Sequence, residues 1–448
     1  MKISNVERLT FFKRIDHFCI NILPFILLYE LVLGGSGRVI MLTSQITIRY
    51  FLFFIAMLYY LLVILRDIFV DRLSIRELIN KRINRTLVYL LIFFTLFLFA
   101  ILNGYRNGNP ISDIFESSKG ILYILMLFPF SLFVDSKDKA KKLVKAFINA
   151  TVILAIITFV IFIIYGLYNE SYNVFGVLLN KWSYGYIALR SGFPAVFMKT
   201  SPYMAVALIY ELNMFINGVE KKTKRKMFNI FILLEGIICT MSMGIWIASS
   251  VGFALVLLVS ILNRKNIKTE SGKSIFVELL PMIVVVVITQ IIFNQIFDDY
   301  IVSVIDNRID SADSSFVVKS DQLIKLTSVW LENIFFGKGY GVRIFFELGE
   351  FRSESMILFE LFWNQLLVNM GLVGFVSYIL LIFEPVLVFF RGMLKKRYKG
   401  EDVIFILSLS IGIFMMCIIS TVNPFMNNPI GIGYLVLFLS TMNLYREE

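Results

Sequence analysis

Residues 337–341 read Gly-Lys-Gly-Tyr-Gly, and they lie within residues 298–374, the longest polar interruption of a largely apolar chain. Long connections in compact folds are usually functional or disordered. Alternating glycines let a backbone turn tightly and approach a ligand or another segment closely. We therefore interpret this stretch as a patterned, functional segment that membrane helices anchor on both sides.

The residues just before the glycine run predict an amphipathic helix. At helical spacing, one face carries Asp321, Lys325, Ser328 and Glu332, and the other carries Leu323, Trp330 and Ile334. A helix of this kind beside a bilayer tends to lie in the interface with its apolar side inward.

The residues after the run predict a helix with a distinctive face. At 100° per residue, that face collects Glu360, Trp363, Asn364, Leu367, Gly371 and Gly374. Small residues allow close packing of a neighbouring helix, and a carboxylate can lie at the mouth of such an interface. The sequence leaves open whether residues 355–370 cross the bilayer or fold back at its surface.

The composition of the chain predicts a membrane protein. Hydrophobic residues make up 58% of the 448 residues, and the mean hydropathy is +0.79. Apolar runs of roughly 20 residues recur along the chain, each long enough to cross a hydrocarbon core of about 30 Å. We predict an all-α polytopic membrane protein with about twelve transmembrane helices and one long outer loop that carries amphipathic helices.

This prediction divides the chain into three parts. Residues 1–297 hold the first nine spans, residues 298–356 form the large extracytoplasmic loop with the substrate and catalytic elements, and residues 357–448 hold the last three spans. The sixth span is predicted at about residues 194–216, where Lys199 and Pro202 mark its outer end.

The placement of charge predicts the orientation. The net charge is +11, and Lys and Arg gather in alternate loops, among them residues 66–85 and 391–397. Basic loops of membrane proteins stay cytoplasmic, so both termini are predicted inside and residues 298–356 outside. Because the basic residues follow this alternation, nucleic acid is not an expected partner.

Cysteine and histidine usage predicts no metal site. The three cysteines, Cys19, Cys239 and Cys417, lie inside apolar runs, and the single histidine, His17, lies at the predicted inner end of the first span. The chain has no phosphate loop of the Walker type, no dinucleotide fingerprint, no nucleophile elbow and no zinc motif. Cytoplasmic ATP chemistry therefore has no support in the sequence.

Basic residues on the predicted outer face suit a phosphate ligand, because arginine presents a planar fork that matches phosphate oxygens. The candidate contacts to pyrophosphate or glycan are Arg190, Lys199, Arg308, Arg343 and Arg352, together with Gly339 and Gly341. Each basic side chain could equally snorkel to the membrane interface. Arg190 and Arg343 favour a functional role because they adjoin glycine-bearing runs.

Glu360 is the predicted general base, because it begins a markedly apolar run in which a carboxylate is costly unless it is paired or faces water. The alternative is a helix cap or a salt bridge at the outer end of a helix. Glu354, flanked by Ser353 and Ser355, is the second candidate, although a solvated loop acid or a helix-start residue also fits its position.

Three segments resemble the Wzy-type O-antigen and capsular polysaccharide polymerases, relatives of the O-antigen ligases with a GT-C-like fold. Residues 190–194, Arg-Ser-Gly-Phe-Pro, resemble the family's Arg-x-Gly segment before a membrane helix. Residues 330–341 resemble its tryptophan-bearing helix and Gly-x-Gly turn. Glu360 lies eleven positions before the pair Gly371 and Gly374. Ligases usually carry histidine at that position, so glutamate favours a polymerase.

This resemblance implies a metal-independent glycosyltransferase of the bacterial inner membrane with its active site on the periplasmic side. It implies that a growing glycan moves from undecaprenyl pyrophosphate to an incoming lipid-linked repeat unit, without a cofactor. Arg190, Arg343 and Lys199 would neutralise the departing pyrophosphate. Glu360, or failing it Glu354, would take the proton of the acceptor hydroxyl. Whether a chain-length regulator binds is left open.

Two alternatives stay open as well. A ligase would transfer the glycan to another acceptor, and a transporter or flippase would carry lipid-linked sugars across the bilayer. Transporters typically have repeated halves and charged residues around a midplane cavity. In this chain the charged residues and glycines that could form a site concentrate on the predicted outer face of the membrane instead.

Overall fold

The structure is a computed structural model, which describes residues 14–35, 37–41, 47–167, 172–190, 193–219, 223–263, 275–296, 314–347, 353–395, 397–398 and 400–446. In this part of the chain the helices are α1 Arg14–Leu33, α2 Ile48–Phe69, α3 Ile75–Arg82, α4 Arg85–Arg106, α5 Ile111–Ser118, α6 Ile121–Phe133, α7 Lys137–Leu167 and α8 Tyr172–Lys181. They continue with α9 Pro202–Ile216, α10 Lys224–Cys239, α11 Met243–Asn263, α12 Ile275–Ile296, α13 Ser314–Leu331, α14 Phe362–Leu394, α15 Gly400–Ile419 and α16 Pro429–Leu444. Two antiparallel hairpins pair β1 Gly185–Arg190 with β2 Phe193–Met198, and β3 Ile344–Glu347 with β4 Ser353–Met356.

Seven of the described helices are long and apolar enough to cross a membrane, namely α1, α2, α4, α7, α11, α14 and α15. Helices α5 and α6 are bent by 48° relative to each other and would add one more span if they act as a pair. The predicted helical, polytopic membrane architecture is therefore confirmed. The predicted count of about twelve spans is not confirmed, since α9 and α16 have only 15 and 16 residues.

The centre of the bundle is formed by short helices that are buried on every side. All residues of α9 are buried, and it packs against α10, α11 and α15. Helix α16 is buried from Ile430 to Asn443. A helix that is hydrophobic all round belongs in the interior of a fold. The 20-residue helix α15 is also largely buried, whereas several other long helices, among them α2 and α4, expose apolar side chains.

The predicted sixth span begins later than expected. Residues 193–198 form strand β2, which pairs with β1 from Gly185 opposite Met198 to Arg190 opposite Phe193. Helix α9 starts only at Pro202. A short apolar run fits a buried strand as well as a helix, so periodicity could not separate the two.

Helix α14 is broken at Gly371, where φ is 64° and ψ is −170°. Such a break frees backbone groups that a neighbouring segment must satisfy. The Leu372 N–H donates to the Ile334 carbonyl (2.8 Å), and the Lys338 N–H donates to the Val368 carbonyl (2.7 Å). Residues 334–339 therefore fill the break. The predicted continuous helical face through Gly371 and Gly374 is wrong, because this packed insertion overrides the helical pattern.

The predicted amphipathic helix is present as α13, but it ends at Leu331, and residues 332–336 form turns. Its buried positions include Gln322 and Leu326, whereas Leu323 is 48% exposed. Below it lies a second hydrophobic cluster, composed of Leu326, Ile344, Phe346, Phe359, Leu361 and Val368. This outer cluster joins α13, the β3–β4 hairpin and the start of α14 into one unit.

Candidate functional site

A polar cleft lies beside the glycine run, and we name it the Arg343 cleft. Its volume is about 530 Å³, and its lining residues are Asn107, Asn109, Pro110, Glu332, Asn333, Lys338, Gly341, Val342 and Arg343. Polar groups that converge in a concave site of this size are typical of ligand pockets. The cleft lies where the end of α4 meets the segment that follows α13.

Three asparagines at the end of α4 hold the glycine run in place. The side-chain amide of Asn103 donates to the Gly337 carbonyl (3.0 Å), that of Asn107 to the Lys338 carbonyl (2.8 Å), and that of Asn109 to the Tyr340 carbonyl (2.9 Å). The Gly341 N–H also donates to the Ser117 hydroxyl (3.0 Å). Buried or confined backbone groups need such partners, so this wall of the cleft is rigid.

The glycines themselves serve packing. Gly339 has φ +86°, and a Cβ there would lie 2.1 Å from the Gly104 nitrogen. Gly341 has φ +84°, and a Cβ there would lie 2.8 Å from Ile114. The close approach predicted for these glycines is therefore an approach to α4 and α5. Of the two, Gly341 also lines the cleft.

Arg343 forms a two-pronged ion pair with Asp113 on α5. Its Nε lies 2.5 Å from Oδ2 and its Nη2 lies 2.9 Å from Oδ1. The Asp113 side chain is only 7% exposed, whereas that of Arg343 is 55% exposed. The hydrogen bonds to Asp113 and its negative charge raise the pKa of Arg343. One edge of the guanidinium is thus bound to Asp113, and the other edge is exposed to solvent.

The second cation of the cleft is also paired. The Lys338 ammonium contacts the Glu332 carboxylate at the end of α13. Each of the two basic side chains in the cleft therefore has its own carboxylate. A surface of amides and balanced charges offers many hydrogen bonds with little net charge, which suits the hydroxyl groups of a sugar.

Glu360 does not line the Arg343 cleft, and its partners on α13 lie roughly 14 Å or more along the helix from the end that borders the cleft. Its side chain is 48% exposed and forms an ion pair with Lys319 of α13, with 3.3 Å between Nζ and Oε2. Its N–H donates to Oε1 of Gln322 (3.1 Å). Helix α14 starts only at Phe362, so the prediction that Glu360 shares a helical face with Trp363 is wrong. The reason is that the side chain and the N–H of Glu360 bond to side chains of α13.

The outer cluster connects Arg343 with Glu360. Arg343 directly precedes Ile344, and Glu360 lies between Phe359 and Leu361, all three of which belong to that cluster. A single packed unit therefore positions both side chains. The expectation of a loop or helix-start position for Glu354 is wrong, because its backbone lies in β4 opposite Phe346. Cross-strand pairing to β3 overrides the local signal of its serine neighbours.

Lys199 lies in a different setting, beside the β1–β2 hairpin. Its N–H donates to the Tyr184 carbonyl (2.9 Å), and Arg38 donates to the Ser183 hydroxyl (3.2 Å). Burial lowers the pKa of Lys199, although part of the side chain is exposed, and the positive charge of Arg38 lowers it further. The backbone of Arg190 ends strand β1 of the same hairpin.

Two predicted contacts, Arg308 and Arg352, lie outside the described residues, as do the side chains of Arg190 and Glu354. Sequence reasoning missed the asparagines of α4 and the partners of Glu360 on α13. The repeated asparagines in Asn-Gly-Tyr-Arg-Asn-Gly-Asn at residues 103–109 were a visible signal. Nothing in the local sequence pointed to residues 337–341 as their partner.

Comparison with known proteins shows a similarity along most of the chain. Over 424 aligned residues the chain is 25% identical to an O-antigen polymerase of Shigella flexneri, and the alignment covers 92% of each chain. The chain resembles an O-antigen polymerase along nearly its whole length. The resemblance to O-antigen polymerases inferred from three short segments is thereby confirmed. No model of a protein family matches the chain.

Proposed function

We propose that this protein is a polysaccharide polymerase, a glycosyltransferase that moves a growing glycan from undecaprenyl pyrophosphate to an incoming lipid-linked repeat unit. The alignment with an O-antigen polymerase over 92% of the chain carries this proposal. The helical membrane architecture supports it, because both substrates are anchored in a bilayer. We place the reaction at the outer face of the inner membrane, with both termini in the cytoplasm.

In the proposed reaction, a hydroxyl oxygen of the acceptor sugar attacks the anomeric carbon of the donor glycan. The bond from that carbon to the pyrophosphate oxygen breaks, and the hydroxyl proton passes to Glu360. General-base help of this kind typically contributes roughly 10²–10⁴ in rate. Glu354 is the second candidate for this role. No cofactor or metal enters the proposal, because the donor already carries its leaving group.

Arg343 is the proposed pyrophosphate contact at the cleft. A guanidinium has about five N–H donors, and Asp113 engages only the two described above, so the exposed edge keeps donors for phosphate oxygens. Arg190, Lys199, Arg308 and Arg352 are proposed to supply further positive charge along the outer face. Positive groups held in place before reaction stabilise the charge that develops on a leaving group.

One sugar unit of the bound glycan is proposed to occupy the Arg343 cleft. Asn107 and Asn109 use their NH2 groups to hold the backbone, so their amide oxygens are left to accept hydrogen bonds from sugar hydroxyls. Gly339 keeps the wall of the cleft close to α4, and Gly341 keeps it close to α5. In this proposal residues 298–356 carry substrate and catalytic elements such as Arg343, and residues 1–297 and 357–448 form the membrane anchor and add Asn107, Asn109 and Glu360 to the site.

The broken helix α14 invites comparison with transporters, which often bind substrates at interrupted helices. Here the backbone groups freed at Gly371 bond to residues 334 and 335. The break is therefore occupied by the protein's own chain, which favours transferase chemistry over transport. A ligase would need a second kind of acceptor, and this requirement separates it from a polymerase.

A reconstituted reaction tests the proposal directly. The purified protein in detergent or in vesicles is supplied with the lipid-linked repeat unit alone, and the products are separated by size. A polymerase makes a ladder of glycan lengths without another acceptor or a membrane gradient. A product of unchanged length from active, folded protein would contradict the proposal.

Glu360→Gln tests the catalytic assignment. We expect this variant to keep its fold, since the side chain is 48% exposed, and to lose roughly 10²-fold or more in polymerisation rate. Glu116→Gln is the matched control, because Glu116 is an exposed glutamate paired with Lys119 and does not line the cleft. Equal rates for both variants would remove Glu360 from the mechanism.

A further inference from the structure

A second polar pocket lies at the end of the bundle where α4 begins and α16 ends. We name it the Arg446 pocket. Its volume is about 210 Å³, and it is lined by Asn84, Arg85, Val388, Asn443 and Arg446. Three chain segments that are far apart in sequence thus place two arginines and two asparagines around one small space. This pocket shares no lining residue with the Arg343 cleft.

The charges of the Arg446 pocket do not balance. Arg85 lies 2.9 Å from the Glu384 carboxylate, and Arg446 contacts the same carboxylate. In the described part of the chain, Glu384 is the only carboxylate that pairs with either arginine. Among these three side chains, two positive charges therefore share one negative charge.

Arg446 is largely buried in the pocket, and one of its N–H donors lacks an acceptor among the described residues. Its side chain is only 9% exposed, and its Nη1 donates to the Thr86 hydroxyl (2.8 Å). Its Nε is buried and has no hydrogen-bond acceptor among the described residues. Burial, followed by the positive charge of Arg85, lowers the pKa of Arg446 to about 10. An anion in the pocket would offset both effects.

The start of α4 also favours an anion in the pocket. Asn84 caps this helix, with its side chain accepting from the Leu87 N–H (2.9 Å), and no acidic residue lies in the first turn. Helix N-termini carry partial positive charge and favour anions. Thr86 donates to the side-chain oxygen of Asn443, which leaves the NH2 group of Asn443 as a donor for a ligand.

The surroundings point to a lipid as the source of the anion. Val88 and Leu91 follow Arg85 on α4, and Leu387 precedes Val388 on α14. All three are exposed apolar side chains, and both helices are long enough to span a membrane. The loop before α4 is predicted to be cytoplasmic. Basic pockets between membrane helices on that side suit phosphate headgroups, while acyl chains cover the apolar flanks.

We propose that the Arg446 pocket binds the phosphate headgroup of an anionic membrane phospholipid. The lipid links the first turn of α4 to the end of α16 and to α14. This binding is independent of the transferase reaction. Phosphatidylglycerol, a phosphodiester lipid with one negative charge, matches the one positive charge by which Arg85 and Arg446 exceed Glu384.

The test measures lipid binding to the whole purified protein in detergent. Native mass spectrometry and thermal unfolding are followed with phosphatidylglycerol, with phosphatidylcholine of the same acyl chains, and with inorganic phosphate. We expect phosphatidylglycerol to bind at least tenfold more tightly than phosphatidylcholine and to raise the unfolding temperature. Equal binding of the two lipids, or equal protection by inorganic phosphate, would overturn the proposal of a phospholipid site.

Arg85→Gln tests the position of the site. Its side chain is 63% exposed, so this variant is expected to fold, and we expect the preference for phosphatidylglycerol to fall at least tenfold. Arg446→Gln should have the same effect if it folds. Arg391→Gln is the control, because Arg391 lies in the last turn of α14 but does not line the pocket. An equal loss with Arg391→Gln and Arg85→Gln would show general charge attraction and refute the assigned pocket.

Discussion

The Arg343 cleft and the Arg446 pocket use the same kinds of side chain and balance them differently. In the cleft Arg343 pairs with Asp113 and Lys338 pairs with Glu332. In the pocket Arg85 and Arg446 share Glu384. Among the described side chains, each cation of the cleft has its own carboxylate, whereas two cations of the pocket share one.

The largest expected effect on stability is at the shared carboxylate. Glu384→Gln leaves two arginines without a counter-charge, and Arg446 is buried. Breaking a buried ion pair by removing one partner costs about 3–5 kcal/mol. We expect a loss of this size in the free energy of unfolding, measured by denaturant titration in detergent. Adding Arg446→Gln should recover part of it, and a double variant less stable than Glu384→Gln would speak against charge sharing.

The next effect concerns the wall of the cleft. Gly339 and Gly108 have similar φ values of +86° and +81°, but a Cβ at Gly108 would meet nothing within 4 Å. Gly108→Ala should cost about 1–2 kcal/mol for the left-handed backbone alone. Gly339→Ala must also displace the Gly104 backbone, so its loss should be larger by about 1–3 kcal/mol. Equal unfolding free energies for the two variants would mean that the contact with α4 is loose.

Arg343→Ala tests whether Arg343 of the cleft contributes to polymer formation. Because this change leaves the Asp113 carboxylate, 7% exposed, without its counter-charge, we expect a lower unfolding temperature, and per folded protein at least a tenfold fall in polymer formation. Arg343→Lys should recover only part of the activity, because lysine lacks the planar fork. Ladder length and rate in the reconstituted reaction measure both variants. Full activity of Arg343→Ala would exclude Arg343 as the pyrophosphate contact.

The smallest expected effect on stability is at Asp113. Asp113→Asn keeps the shape of the side chain, and its partner Arg343 can be solvated from the open edge of the cleft. The drop in unfolding temperature should therefore be smaller than for Glu384→Gln. A drop as large as that of Glu384→Gln would mean that the half-exposed Arg343–Asp113 pair is as important for stability as the buried carboxylate that two arginines share.

Prediction from sequence succeeded where the signal is local. Apolar runs marked the membrane helices, the spacing before Trp330 marked α13, and Gly-Lys-Gly-Tyr-Gly marked a tightly turning segment. Prediction failed at Gly371 and at residues 193–198, where an apolar pattern continued through a break in one case and through a strand in the other. Local periodicity carries no information about a segment that inserts from elsewhere.

The apolar composition and the order of charged residues were sufficient to predict a helical membrane protein, and they made Arg343 and Glu360 candidate site residues. Their partners came only with the folded chain. Asn103 meets Gly337 across 234 positions, and Arg343 meets Asp113 across 230. Such contacts depend on how helices pack, because neither residue of a pair constrains the other until α4, α5 and the segment after α13 are brought together. The physical reason is that the hydrophobic pattern of a helix acts over a few residues, whereas the balance of charge in a cleft depends on every element that lines it.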